Sequence, residues 1–82
     1  MEFNELVFEL RRLVRKPPED VVAKMHLYHL AQDTEKNGLP DKQAEQCLLD
    51  QLKAISRMTI DKEVFSTLET MRATIQKSGI LA

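Results

Sequence analysis

Apolar residues recur along this chain with the spacing of helices, in four stretches separated by short polar breaks. At about 100° per residue, Phe3, Leu6, Val7, Leu10, Leu13 and Val14 form one stripe. Asn4 is placed to cap it, with Phe3 and Phe8 at the spacing of a hydrophobic staple. Arg11, Arg12, Arg15 and Lys16 crowd its last turns, where basic groups favour the negative end of the helix dipole. Pro17 and Pro18 stop it, and Pro18, Glu19 and Asp20 suit the first turn of the next helix. A third stripe holds Ala44, Cys47, Leu48, Leu52, Ile55 and Met58, and a fourth holds Ile60, Val64, Phe65, Leu68, Met71 and Ile75. Continuing the third stripe in phase would need apolar residues near 62 and 66, where Lys62 and Ser66 stand. The slip predicts a break at 59–61, with Asp61 as N-cap and Ile60 and Phe65 as a staple. One fused helix over 41–78 is the alternative. Asn37-Gly38 and Gly79 supply left-handed stops, and Ile80 follows where a Schellman turn places an apolar contact. The reading is all-α, one four-helix bundle over 1–82, with helices at about 4–16, 18–36, 41–58 and 61–78.

The second stretch departs from the single-stripe pattern. Val21, Val22, Met25 and Tyr28 cover one arc of the wheel, and Ala23, Leu27, Leu30 and Ala31 cover the opposite one. A helix apolar on two sides is either the centre of a bundle or a core helix that also faces a partner. The other helices each offer essentially one stripe, enough to cover one face of the second. Either the second helix is threaded through the centre, or its Leu27–Leu30 side is left for a partner, with Tyr28 or the histidines at the rim.

Composition narrows the classes. The 82 residues are 43% hydrophobic and 30% charged, with two glycines and three prolines. That is a folded domain rather than a disordered tail. The net charge of −1 gives no global attraction to nucleic acid or to acidic membranes. The single cysteine, Cys47, excludes an internal disulfide and a multi-cysteine zinc site. No apolar run approaches the roughly 18 residues of a membrane span, and the charged N-terminal stretch is no secretory signal. A reducing, cytoplasmic setting is the expectation.

Candidate chemistry is sparse. Residues 33–41, DTEKNGLPD, place acidic or amide groups at positions one, three, five and nine of a calcium loop, with Gly38 at six. Position twelve then fails, being Ala44 instead of a bidentate glutamate, and Pro40 fills the β-forming position eight. A polar turn between helices is the better account. His26, His29 and Asp33 fall within about 60° on the wheel, a weak metal set lacking further ligands and any HExxH pattern. Cys47 lies on the third stripe and reads as a small buried hydrophobe. Ser56, Ser66 and Ser78 lack a nucleophile-elbow pattern. There is no phosphate-binding glycine loop and no carrier-type attachment serine. An enzyme is therefore not expected, and no cofactor is implied.

The run LKAISRMTIDKEVF followed by LETMRATIQK, within residues 52–77, resembles the helical domain at the N-terminus of transcription elongation factor S-II. It is also similar to the integrase-binding domain of lens-epithelium-derived growth factor. Leu52, Ile55, Met58, Ile60, Val64 and Phe65 fill the first part of that pattern, and Met71, Thr74, Ile75 and Lys77 the second. The resemblance implies a bundle that binds disordered peptides in transcription complexes, and a nuclear setting. The tryptophan-bearing terminal helix of that family has no counterpart here.

The function expected is a noncatalytic protein–protein interaction module, acting as adaptor, regulator or inhibitor. It would bind a protein partner or another copy of itself through Leu27, Tyr28 and Leu30. Phe8, off its stripe beside Arg12 and Arg15, adds an aromatic–arginine pair of hot-spot composition. The alternative is a nucleic-acid-associated domain using the basic cluster at 11–16, or helices three and four as a helix-turn-helix. The mixed charge of Lys62, Arg72 and Lys77 with Asp61, Glu63 and Glu69 disfavours groove reading.

Overall fold

The first helix begins one residue before its expected cap, because a different group closes its end. A computed structural model describes residues 1–15 and 20–82, and α1 runs Phe3–Val14 after Glu2 as N-cap. A helix start leaves four N–H groups without partners. Asn4 lies inside the helix and caps nothing. The Phe3 N–H donates instead to the Leu81 carbonyl at 2.7 Å. Leu81 N–H donates to the Met1 carbonyl at 2.9 Å, and the Met1 amine to the Gly79 carbonyl at 2.9 Å. This short parallel pairing of Glu2 with Leu81 holds the two ends together and carries Ile80 into the core. Phe8 is exposed, so the expected staple with Phe3 does not form. The two prolines expected to break the chain, with Lys16 and Glu19, lie outside the described residues.

Four helices and no strand make up the described residues: α1, α2 (Val21–Asn37), α3 (Lys42–Met58) and α4 (Lys62–Ser78). Helix α1 packs on α2, α3 packs on α4, and a sparser contact between α2 and α3 joins the two pairs. The joined ends at Glu2 and Leu81, and an Arg12–Glu63 ion pair of 3.2 Å, show that α1 and α4 run antiparallel. No helix among the described residues is long and apolar enough to cross a membrane.

The two-sided helix resolves against the expectation. Ala23, Leu27, Leu30, Ala31 and Thr34 of α2 are buried, and Leu27 is only 1% exposed. Leu27 and Leu30 are thus core residues, not a partner surface. Val21, Val22, Met25 and Tyr28 face out instead. Stripe length decides between the arcs. The leucine arc runs from Ala23 to Thr34, whereas the opposite arc turns polar at Gln32 after two turns. Ala23 and Ala31 also let neighbouring helices approach closely. Thr34 fits because its hydroxyl donates to the Leu30 carbonyl at 2.7 Å, so no polar group is stranded.

The second pair of helices is punctuated by carboxylates. Asp41 caps α3 by accepting from Ala44 N–H at 2.8 Å. Asp61 caps α4 by accepting from Glu63 and Val64 N–H at 2.8 and 3.0 Å. The break between them excludes the fused helix. Thr59 links this turn to the start of α2, its hydroxyl donating to the Asp20 carboxylate. The buried arc of α3 is Leu48, Leu49, Leu52, Ile55 and Ser56. It is rotated toward α4, its main neighbour, from the expected stripe, so Leu49 turns inward while Ala44 and Cys47 are exposed. Ile60 and Phe65 are also exposed, so they form no buried staple. Gly38 and Gly79 end α2 and α4 at φ of 75° and 72°, where a side chain would be strained.

Leu27→Ala should lower unfolding free energy by about 2–5 kcal/mol, while Met25→Ala should change it by no more than about 0.5 kcal/mol. Urea denaturation of both variants checks this, and equal losses would mean that neither face is preferentially inside. Asp61→Ala should cost about 1 kcal/mol by the same measurement.

Candidate interaction face

The outer face of α2 is the main apolar surface that belongs to one element. Val21, Val22 and Met25 are 56%, 60% and 57% exposed, and Tyr28 one turn further is 44% exposed. Three large side chains within one and a half turns, all facing water, cost hydration free energy at about 25 cal/mol per Å². Scattered apolar residues on a surface are ordinary, but a contiguous group on one helix face is not.

Tyr28 is held in place from two sides. The Arg11 guanidinium of α1 lies 5.8 Å from its ring centroid, within cation–π range. His29 meets the ring edge-on at 5.7 Å with 70° between planes. Arg11 is itself fixed, its Nε donating to Glu35 Oε1 at 2.6 Å. That hydrogen bond, then the carboxylate's charge, hold the guanidinium pKa above its ordinary value. The pairs Arg11–Glu35 and Arg11–Tyr28 therefore lock an aromatic anchor at the end of an aliphatic patch. A ring already ordered loses less freedom when a partner covers it.

The other candidates fall elsewhere. Arg12 faces away from this patch, donating to Glu9 at 2.8 and 3.0 Å and to Glu63 of α4 at 3.2 Å. The Glu9 hydrogen bond, then the Glu63 one, raise its pKa. Phe8 is exposed off its stripe, as expected, but no ring contact joins it to Tyr28. Within the basic cluster Arg11 and Arg12 are both paired to carboxylates, Arg15 is exposed, and Lys16 lies outside the described residues. His26, His29 and Asp33 are exposed, and no three or more His, Cys, Asp or Glu side chains among the described residues are grouped to hold a metal. The calcium-loop-like stretch serves as a helix connection: Gly38 closes α2 and Asp41 opens α3. Val21, Val22 and Met25 are additions to the expected site, and their signal was the short second stripe; Arg11, expected only within the basic cluster, lies beside Tyr28.

Two depressions flank the helices. A cleft of about 440 Å³ between α2 and α3 is lined by Leu30, Leu39, Pro40, Ala44, Cys47 and Leu48. A shallower groove of about 340 Å³ between α1 and α4 is lined by Glu5, Glu9, Arg12 and the hydroxyls of Ser66 and Thr70, among others. Neither joins a nucleophile to a base through a hydrogen bond among the described residues. The buried polar side chains, Thr34 and Ser56, spend their hydroxyls on the backbone carbonyls of Leu30 and Lys53.

In comparisons with known proteins, no family model, no curated protein and no solved structure matches the chain.

Because Cys47 lines an open cleft, contrary to the buried position expected for it, its thiol should be reactive in the native protein. Ellman's reagent should titrate one thiol per chain without denaturant, at a rate within about tenfold of that in urea. A thiol that reacts only after unfolding would show that the α2–α3 cleft is closed.

Proposed function

We propose that this chain is a noncatalytic protein–protein interaction module that docks its partner on the outer face of α2. The observation that carries the reading is the contiguous exposure of Val21, Val22, Met25 and Tyr28 on one helix face. Methionine, tyrosine and arginine are enriched where proteins bind one another, and Tyr28 beside Arg11 has the composition of a hot spot. The four side chains offer on the order of 400 Å² for burial, a gross gain near 10 kcal/mol at 25 cal/mol per Å². The partner's own buried area adds to that gain, association costs offset much of the total, and a weak, reversible complex is expected. The resemblance of residues 52–77 to peptide-binding helical domains supports the same functional class. A nucleic-acid role draws no support from the face, because Arg11 and Arg12 are already paired to carboxylates.

A photo-reactive residue at position 25 should cross-link a protein partner in the cells that make this chain. The same residue at position 73, on the exposed side of α4, should not. Equal labelling from both positions, or none from position 25, would sink the reading. Circular dichroism confirms that both variants fold.

A further inference from the structure

We infer that the partner on this face is a second copy of the chain, with the two α2 helices packed antiparallel about a twofold axis. The inference rests on the interaction-module reading and gives it an occupant. Val21, Met25, Tyr28 and Gln32 follow one another at spacings of four, three and four along α2, and all four are exposed. That is the a/d spacing of a helix–helix seam.

In an antiparallel pair, a-type positions meet d-type positions of the other helix, and each flank meets the same flank. Placing the twofold axis between His26 and Leu27 sets Met25 against Tyr28 of the second copy. Val21 then meets Gln32 of the second copy. The flanking pair becomes Val22 with His29 of the second copy, and the symmetry makes every contact twice. On the other flank Ala31 is buried in its own core, so Lys24 of the second copy meets no exposed α2 side chain there. A thioether against an aromatic ring is a favourable central contact. The face is therefore complementary to itself, as a twofold interface requires. A net charge of −1 leaves little repulsion between copies.

The available area sets the strength. Gln32 and His29 add to the four apolar anchors, so complete coverage would bury at most roughly 600 Å² per copy, or about 1,200 Å² in total. That is the low end for specific interfaces. A reversible dimer is expected, half-associated between about 10 and 200 µM. Gln32 is the weak point of the seam, a polar side chain facing Val21 of the second copy. A polar group at an a position sets register at a cost in stability.

Sedimentation equilibrium across that range tests the proposal. The wild type should shift from monomer to dimer as concentration rises. Met25→Lys should remain monomeric, and Gln32→Leu should associate about tenfold more tightly. Circular dichroism matching the wild type shows that the gain in the second variant does not arise from misfolding. In a Cys47→Ser background, the double variant Val22→Cys with His29→Cys should form a covalent dimer on oxidation, and Val22→Cys alone should not. The two Val22 positions lie about 13 Å apart along the seam in this register. A wild type that stays monomeric at several hundred micromolar overturns self-pairing. So does a dimer indifferent to Met25→Lys, or efficient Val22–Val22 cross-linking, which would mean a parallel pair. If the wild type is monomeric yet position 25 still cross-links a different protein, the interaction-module reading stands with another occupant. If neither association is seen, both fall.

Discussion

Burial of Leu27 and Leu30 between α1 and α3 is the constraint on which the rest of the structure turns. Three single-striped helices can enclose only one side of a fourth. Once the arc from Ala23 to Thr34 is taken inside, Val21, Val22, Met25 and Tyr28 have nowhere to go but the surface. The choice is energetic. The longer arc buries more apolar area, and its alanines allow close approach on both flanks. The exposed residues are the remainder of that choice, and they give the molecule its distinctive surface.

Around this core the ends are closed by small polar devices rather than by long connections. Asp41 and Asp61 cap α3 and α4, and the backbone of residues 79–81 does the same work for α1. Thr59 to Asp20 ties the α3–α4 turn to the start of α2 at one end. The pairing of Glu2 with Leu81 ties α1 to the end of α4 at the other. Arg12 bridges α1 to α4 through Glu63. Pairing of this kind contributes little stability on an exposed surface. Its greater effect is on orientation: it commits Arg12 to α4, while Arg11 is committed to Tyr28 and Glu35 on the other side of α1.

Much of the architecture was legible because local signals agreed with one another. The phase slip at Thr59, the capping position of Asp61 and the glycines at 38 and 79 each marked a helix end that the structure contains. The departures have two causes. Periodicity shows that a helix has an apolar face but does not fix its rotation against neighbours. Cys47 and Leu49 exchanged places because α3 leans on α4 more than on α2. Asn4 lost its capping role to a segment 77 residues away, which no local pattern announces. Both arcs of α2 were visible in the sequence; the difference in how far each runs is what places the Ala23–Thr34 arc inside.

In the proposed role, the contact surface would sit on a helix whose other face is buried in the core. Docking on it then requires little rearrangement. Which side of α2 faces water decides between the core and the contact surface. Cysteine placed singly at positions 21, 23, 25, 27, 28 and 30, in a Cys47→Ser background at about 1 µM chain, reads this through native-state alkylation rates, since a weak dimer is dissociated at that concentration. The structure predicts fast alkylation at 21, 25 and 28, and slow alkylation at 23, 27 and 30. Fast reaction at 27 and 30 with protection at 21 and 25 would contradict it.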